Sequence, residues 1–363
     1  MAKKHEIFLF CISDEKVSEE HIQELQPFCK QIEVAYLNKW KAMPKVLLAI
    51  FNSLPLQVAF YKDSKIKKLY DAFLLRHKPD LCYYQFVRTA PYAENISLPQ
   101  VIDFQDTLSA NMERRAGKSN FLLRPIFLME AKRLRRYEDR AMETFDAQTI
   151  ITESDRELLN SPLRYKVAIV SNGVSQRYIE QPKEKEKLYD VLFCGNMGYK
   201  PNITAAEYLL QTIMPLVRKQ RPETTICIAG VNPPKHIKAK ASTTNLIIEK
   251  VDDMRDMYLQ SKVFIAPMQI GTGLQNKLLE AMACSIPSIS SSLANKALKA
   301  SDKEEILIAD KAQDYANCIL ELLNNKEMSE KLAKNGREYI LNNFRWEKCN
   351  EILEESFLNL RSK

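Results

Sequence analysis

Short runs of β-branched and aromatic residues alternate along the chain with segments whose apolar positions recur at helical spacing. The rhythm opens with Ile7–Ser13, passes through an amphipathic stretch over Ser18–Lys30 and returns to an extended run at Ile32–Leu37. Further strands are predicted at Leu81–Phe86, Val101–Asp106, Ala147–Thr152 and Val167–Val170, with helical stretches between them that include a long one over Asn120–Thr144. Such alternation implies a mostly parallel sheet covered on both faces. The polar, charged string QPKEKEKLYD at Gln181–Asp190 reads as a linker between compact units. After it the rhythm restarts with strands at Val191–Cys194, Thr225–Ala229, Leu246–Glu249, Val263–Pro267, Ile286–Ser291 and Ile306–Ala309. Helices are predicted between and after them at Asn202–Lys219, Met254–Gln260, Leu274–Cys284, Ala312–Leu323, Glu327–Leu341 and Arg345–Leu360. The pattern therefore predicts an α/β protein with two doubly wound domains.

Length and composition agree with two domains. The chain has 363 residues, 45% hydrophobic and 27% charged, enough to bury sizeable cores and too apolar for intrinsic disorder. Its eight cysteines have no zinc-ligand spacing and read as reduced thiols of a cytoplasmic protein. No apolar run is long enough to span a bilayer, and the start of the sequence lacks a signal-peptide pattern, so neither secretion nor membrane spanning is expected. A net charge of +7 favours anionic partners without choosing among them.

Several chemistries lose their usual support. The four histidines are scattered and form no HExxH pair. The AGKS string at Ala116–Ser119 lacks the earlier glycine of a P-loop, since Met112 stands there. No GxSxG elbow occurs, and no GxGxxG fingerprint follows a predicted strand. No Asp-x-Asp pair offers a cradle for a divalent cation, and Asp252 and Asp253 read as caps of the helix after them.

The informative segment is Pro267–Ser290, PMQIGTGLQNKLLEAMACSIPSIS, which runs from strand end through a glycine-bearing loop to a helix and a further strand. Gly271 and Gly273 allow close backbone approach to a ligand, and the helix opening near Leu274 directs free amides and the positive end of its dipole at the loop. A diphosphate suits that place. Lys277 and Glu280, three residues apart, share a helical face, where the lysine can pair with phosphate and the glutamate can accept ribose hydroxyls. Spacing alone equally allows an ordinary ion pair between them and glycines that only shape a turn.

The string GTGLQNKLLEAMACSIPSIS resembles the nucleotide-sugar loop and helix of family 4 (group 1) glycosyltransferases of the GT-B fold. VLFCGNMGYKPN at Val191–Asn202 resembles the opening of the same family's donor-binding domain, and DFQDTLSANMERR, EAKRLRRYE, FDAQTIITESDRELL and VSNGVS resemble its acceptor-side domain. The nearest likeness is to bacterial exopolysaccharide-type sugar transferases. The resemblance implies two Rossmann-like domains facing a cleft, with residues 1–180 on the acceptor side, 181–344 binding the nucleotide sugar, and 345–363 forming a helix that packs back on the first domain. It assigns the diphosphate to the amides of Thr272, Gly273, Leu274 and Gln275 with Lys277, and the ribose to Glu280. Gly195, Asn196 and Lys200 fall where the family holds the same phosphates. As an alternative, Asn196 shapes the turn after its strand. Lys277, Glu280 and Lys200 are the candidate catalytic groups, stabilising a leaving nucleoside diphosphate without a metal or other cofactor.

Two departures from the family pattern stand out. Eight positions before Glu280, where many relatives carry another glutamate, this chain has Thr272. The sequence also begins at what resembles the family's second strand. Acceptor-side candidates are Arg88, Thr89 and Tyr92 after the strand Leu81–Phe86, and Asp106 after Val101–Phe104, with a role as helix cap or turn residue as the alternative for Asp106. The basic run from Arg114 to Arg140, interleaved with Phe121, Leu122, Ile126, Phe127 and Leu128, reads either as a surface for anionic lipid on the inner face of a membrane or as a solvated helix with a core stripe. No nucleic-acid signature accompanies it. The expected activity is retaining transfer of a hexose from a UDP- or GDP-sugar to a glycan or lipid-linked acceptor in cell-surface polysaccharide synthesis. The alternatives are a non-catalytic subunit partnering an active transferase, and a UDP-sugar epimerase.

Overall fold

The computed structural model describes residues 1–180, 185–270 and 273–361. The chain divides into two compact units, Met1–Val170 with Asn350–Lys363, and Ser171–Cys349. Each builds its own core.

The first unit contains strands β1 (Phe8–Ser13), β2 (Gln31–Tyr36), β3 (Cys82–Gln85), β4 (Gln100–Asp103), β5 (Ala147–Ile150) and β6 (Ala168–Ile169). Its helices are α1 (Glu19–Leu25), α2 (Lys39–Ala49), α3 (Leu56–Tyr61), α4 (Ser64–His77), α5 (Leu108–Lys118), α6 (Arg124–Thr144) and α7 (Glu153–Leu158). All pairings are parallel, but they form two ladders, β1-β2 and β3-β4-β5-β6. Helix α4 packs against both. The Tyr70 ring lies 5.2 Å from Phe10 of β1 and 6.0 Å from Tyr84 of β3, and the two tyrosine hydroxyls are 2.9 Å apart.

The second unit contains β7 (Tyr189–Cys194), β8 (Ile226–Ala229), β9 (Asn245–Ile248), β10 (Ser261–Ala266), β11 (Ser288–Ser290) and β12 (Leu307–Ile308). Its helices are α8 (Gln176–Ile179), α9 (Lys200–Tyr208), α10 (Met214–Arg218), α11 (Lys235–Lys238), α12 (Met254–Leu259), α13 (Asn276–Ala283), α14 (Ser292–Leu298), α15 (Ala312–Asn324) and α16 (Lys326–Asn343). A last helix, α17 (Trp346–Arg361), starts in this unit and ends in the first. The six strands are parallel in the order β12-β11-β10-β7-β8-β9. The central strands are buried on both faces, which is why VLFC and ICIA read as unbroken apolar runs. The order reverses between β7 and β10, and open α/β sheets bind ligands at the carboxyl ends of strands at such a switch point.

The structure revises two readings. The chain enters the second unit at Ser171, ten residues before the charged string expected to mark the boundary. Tyr178 and Ile179 belong to the second core, the Val174 amide donates to the Phe344 carbonyl at 2.7 Å, and the Arg337 guanidinium bonds the Ile179 carbonyl. Gln181–Glu184, at the start of that string, lie outside the described residues. The single helix expected over Asn202–Lys219 is α9 and α10 joined by a π turn at Leu209–Ile213. Pro215 has no amide to give, and the widened turn accommodates the helical bond it cannot make.

Candidate functional site

Two glycines set the floor of the second unit's switch point. Gly195 follows β7 with φ 156° and donates its amide to the Ala229 carbonyl at 3.0 Å; Gly230 follows β8 with φ 146°. A Cβ on Gly230 would stand 2.0 Å from the Gly195 carbonyl oxygen, so the two strand ends approach only because Gly230 has no side chain. A Cβ on Gly195 would lie 2.7 Å from Asn202 Nδ2 and 3.1 Å from Lys277 Nζ.

Those two side chains meet above the floor. Helix α9 opens with Pro201, whose lack of an amide is harmless there, and its first turn presents Asn202. The Asn202 amide group donates to the Asn196 carbonyl at 2.9 Å and accepts from Lys277 Nζ at 2.5 Å. Lys277, on the first turn of α13, also stands 4.7 Å from the centre of the Phe193 ring. Burial lowers its pKa to about 8, with Cys194 and Glu280 acting in the opposite direction.

Glu280, one turn on, takes a different partner. Tyr258 of α12 is fully buried, its hydroxyl 3.1 Å from Cys194 Sγ and donating to Glu280 Oε2 at 2.9 Å. Burial raises the Glu280 carboxyl above its ordinary range, while Tyr258, Arg177 and Lys277 pull the other way. Lys277 and Glu280 thus do not serve as each other's hydrogen-bond partner. Asp253 caps α12 by accepting the Arg255 amide at 2.9 Å, as its position in the sequence suggests.

The remaining donor-side candidates are less engaged. Gln275 stands at the N-cap of α13 and donates its side-chain amide to the Gly273 carbonyl at 3.0 Å. Among the described residues, a Cβ on Gly273 would meet nothing within 4 Å. Leu274 packs against the core. The first amides of α13 have no carbonyl a turn earlier to bond. Asn196 accepts the Gly198 amide at 2.8 Å, the geometry of a turn former. Lys200 is exposed on the first turn of α9. Gly271 and Thr272 lie outside the described residues. Among the described residues no cluster of three metal-ligating side chains occurs.

In the first unit, Arg88 lies over the rings of Phe86 (4.4 Å) and Tyr61 (5.2 Å), beyond the carboxyl end of β3. Asp106 follows β4. One of its oxygens accepts from Asn111 at 2.8 Å, and the other is buried without a hydrogen-bond partner among the described residues. Burial and Asp155 raise its pKa, while Asn111, Arg114 and Arg88 lower it. It is not a cap: Thr107 takes that position before α5, and the Thr107 hydroxyl bonds the Asp155 carbonyl at 2.6 Å. Thr89 and Tyr92 are occupied within the unit. The Thr89 hydroxyl donates to the Phe86 carbonyl at 2.8 Å; the buried Tyr92 hydroxyl donates to the Tyr61 carbonyl at 2.6 Å and accepts the Asp63 amide at 3.3 Å. Burial pushes Tyr92 up to about 12.

Residues 189–325 match the family model described as glycosyl transferases group 1. This segment is similar to group 1 glycosyltransferases. The matched segment contains both glycines of the floor and the whole of α13, with Lys277 and Glu280. An uncharacterised 44.6 kDa protein of the Klebsiella pneumoniae cps region is 26% identical over 165 residues, 43% of this chain and 42% of that protein. An uncharacterised glycosyltransferase of Methanocaldococcus jannaschii is 30% identical over 115 residues, 31% of this chain and 32% of the other. The matches therefore span less than half of either curated relative. Among solved structures, the sucrose-phosphate synthase of Thermosynechococcus elongatus superposes with a TM-score of 0.70 at 13% identity, covering 98% of this chain and 99% of that one. Anabaena HepE, solved with UDP, gives 0.68 at 12% identity, covering 98% and 100%. The fold is GT-B, as the resemblance implied.

Asn202, Tyr258 and Gly230 escaped the sequence reading. Asn202 closes the VLFCGNMGYKPN string and had a signal in its place at a helix opening; Tyr258 and Gly230 come from elements with no motif of their own.

Proposed function

We propose that the protein is a retaining glycosyltransferase moving a hexose from a UDP- or GDP-sugar to a glycan or lipid-linked acceptor in cell-surface polysaccharide synthesis. One observation carries the reading: a half-buried lysine and a half-buried carboxyl, each held by its own partner, share one face of the helix that opens at the sheet's switch point. Lys277 and the first amides of α13 compensate the charge that develops on a leaving nucleoside diphosphate, which leaves no step that requires a divalent cation. Glu280 accepts from the ribose hydroxyls. UDP is the first nucleotide to test, since HepE is described in complex with UDP and with UDP-glucose. The cps-region relative supports the polysaccharide setting.

The test is a thermal-shift panel of UDP, GDP, ADP and CMP on the wild type and Glu280→Gln, followed by turnover of the stabilising nucleotide's sugar with and without EDTA. The amide variant is preferred to alanine because it keeps an acceptor for the buried Tyr258 hydroxyl; the carboxylate is not simply solvent-facing. A ligand at about a hundred times its Kd adds roughly 2.7 kcal/mol, a shift of several degrees. A rise with one nucleotide, reduced in the variant, and EDTA-resistant turnover are expected. No rise with any nucleotide would sink the donor site and favour a non-catalytic subunit.

A further inference from the structure

The outward face of α2 is the apolar one. Trp40, Met43, Leu47 and Leu48 are exposed at helical spacing, and Phe51 continues the stripe just past the helix end, while Ala42 and Ala49 face the core. Trp40 is 86% exposed and Phe51 89%. This inverts the usual amphipathic arrangement, in which large apolar residues turn inward.

A second exposed apolar segment lies beside it. Phe121, at 80% exposure, Leu122, Leu123, Ile126 and Leu128 run into and along the start of α6. The two segments are tied together by polar bonds. The Arg133 guanidinium bonds the carbonyls of Ala49 (2.6 Å) and Ile50 (2.8 Å), at the end of α2. Glu130 accepts the amides of Leu56 (2.7 Å) and Gln57 (3.1 Å), at the start of α3. Ile126 is two turns before Arg133 on the same stripe of α6, so its exposed side chain faces the side on which α2 ends, whereas Leu128 lies on the opposite stripe.

The charge around this surface has one sign. The sequence holds no acidic residue between Glu33 and Asp63, nor between Glu113 and Glu130. The nearest carboxylates are occupied: Asp14 and Glu15 pair with Lys39, Asp63 with Lys45, and Glu113 with Arg135. Lys41, Arg124, Lys132 and Arg136 are exposed along the same segments.

We infer that this α2–α6 surface docks on an anionic lipid bilayer, with Trp40, Phe51 and Phe121 entering the interface and the basic residues meeting lipid phosphates and carboxylates. Large exposed aromatics beside unopposed basic residues are what an interfacial surface requires, apolar area for the acyl boundary and positive charge for the headgroups. A second copy of the chain is disfavoured, because a two-fold contact through this patch would set the same cations against one another. The surface shares no residue with the nucleotide site, and its binding can be measured with no nucleotide present.

The test is co-sedimentation of the full chain with vesicles of phosphatidylcholine alone and of phosphatidylcholine with phosphatidylglycerol. The Trp40→Ser, Phe51→Ser pair and the Lys41→Glu, Arg124→Glu pair change exposed side chains, and circular dichroism confirms that each variant folds. Binding to the anionic vesicles is expected, weakened by salt, with roughly a fivefold loss for each charge removed and a loss of similar size or greater in the aromatic pair. Trp40 supplies a second readout, a blue shift of its emission on vesicles in a Trp346→Phe background. The inference is overturned if the wild type ignores anionic vesicles, or if both variant pairs bind as well as the wild type. It is equally overturned if light scattering shows a dimer that the same substitutions dissolve while vesicle binding is absent.

Discussion

In the donor site proposed above, Lys277 should make the affinity for a nucleoside diphosphate depend on pH in a way a surface lysine would not. In the empty site, burial brings its pKa from 10.5 to about 8. That difference corresponds to about 3 kcal/mol of extra cost for the charged form. The ammonium is about nine-tenths populated at pH 7 and about one-tenth at pH 9. A bound diphosphate supplies the opposite charge that the pocket lacks, so binding restores the proton. The Kd for UDP should therefore rise about tenfold between pH 7 and pH 9, and calorimetry in two buffers of different ionisation enthalpy should show proton uptake near zero at pH 7 and approaching one at pH 9. Lys277→Gln should bind weakly throughout, with this step removed. The empty protein carries the opposite signature: the penalty of burying the cation is full below pH 8 and fades as pH rises toward 10.5, so the wild type gains stability over that window relative to Lys277→Gln. Equal affinities at pH 7 and pH 9, or a slope that persists in the variant, would refute the argument that desolvation of Lys277 governs the site.

Three further substitutions separate structural from functional roles. Glu138, almost wholly buried, accepts the Ser109 amide at 3.0 Å and the Ser109 hydroxyl at 2.5 Å, and burial pushes its carboxyl up to about 7. The folded chain then holds a proton that the unfolded chain releases near pH 4.5. Glu138 therefore costs stability as pH rises through that window, up to about 3 kcal/mol above pH 7, and urea melts at pH 5 and pH 8 should show Glu138→Gln gaining on the wild type by that order; a constant difference would remove the cause. Gly230→Ala should cost on the order of 3 kcal/mol or more, because its Cβ meets backbone at a positive φ; Gly195→Ala, also at a positive φ, meets the Asn202 and Lys277 side chains and should cost less stability while weakening nucleotide binding; a loss of stability in Gly195→Ala equal to or above that in Gly230→Ala would contradict this ordering. Tyr92→Phe should lower stability by about 1–2 kcal/mol and leave the KM for acceptor unchanged, since the hydroxyl is spent on Tyr61 and Asp63; an acceptor KM that rises without loss of stability would restore Tyr92 to the acceptor side.

The second unit was the more legible because a parallel sheet buries both faces of its strands, and continuous apolar runs such as ICIA admit few other readings. Its switch point could be placed because the loop and helix carrying Lys277 and Glu280 are contiguous. Partners from elsewhere were invisible for the opposite reason. Tyr258 lies 22 residues before Glu280, and Asn202 lies 75 residues before Lys277; only the fold brings them within hydrogen-bond reach. The π turn at Leu209–Ile213 was masked by good helical periodicity on either side of it. The basic run before Arg140 was readable as either lipid-facing or solvated, and the apolar stripe of α2 that joins it drew no reading at all. Periodicity shows that a helix has an apolar face and does not show whether the protein or its surroundings cover that face.

The same burial that perturbs Lys277 is what makes it useful. A lysine on the surface keeps its water, and a phosphate that meets it must first displace that shell, which leaves little net gain. Here folding has already removed much of the water: β7, β8 and β10 are packed with almost no exposure behind the site, and Phe193 and Asn202 occupy positions that solvent would otherwise take. The stability of the second unit's core carries that desolvation, so an arriving diphosphate meets a charge already oriented and partly stripped. The buried Tyr258 hydroxyl fixes one Glu280 carboxyl oxygen, and on the proposed reading the other is the one that would meet the ribose. On the proposed donor reading, affinity, pH sensitivity and the intolerance of Gly230 to a methyl group should be one property, the tight closure of β7 on β8 beneath the opening of α13. Loosening that closure should lower all three together, whereas removing the Lys277 charge alone should weaken the first, remove the second and leave the third.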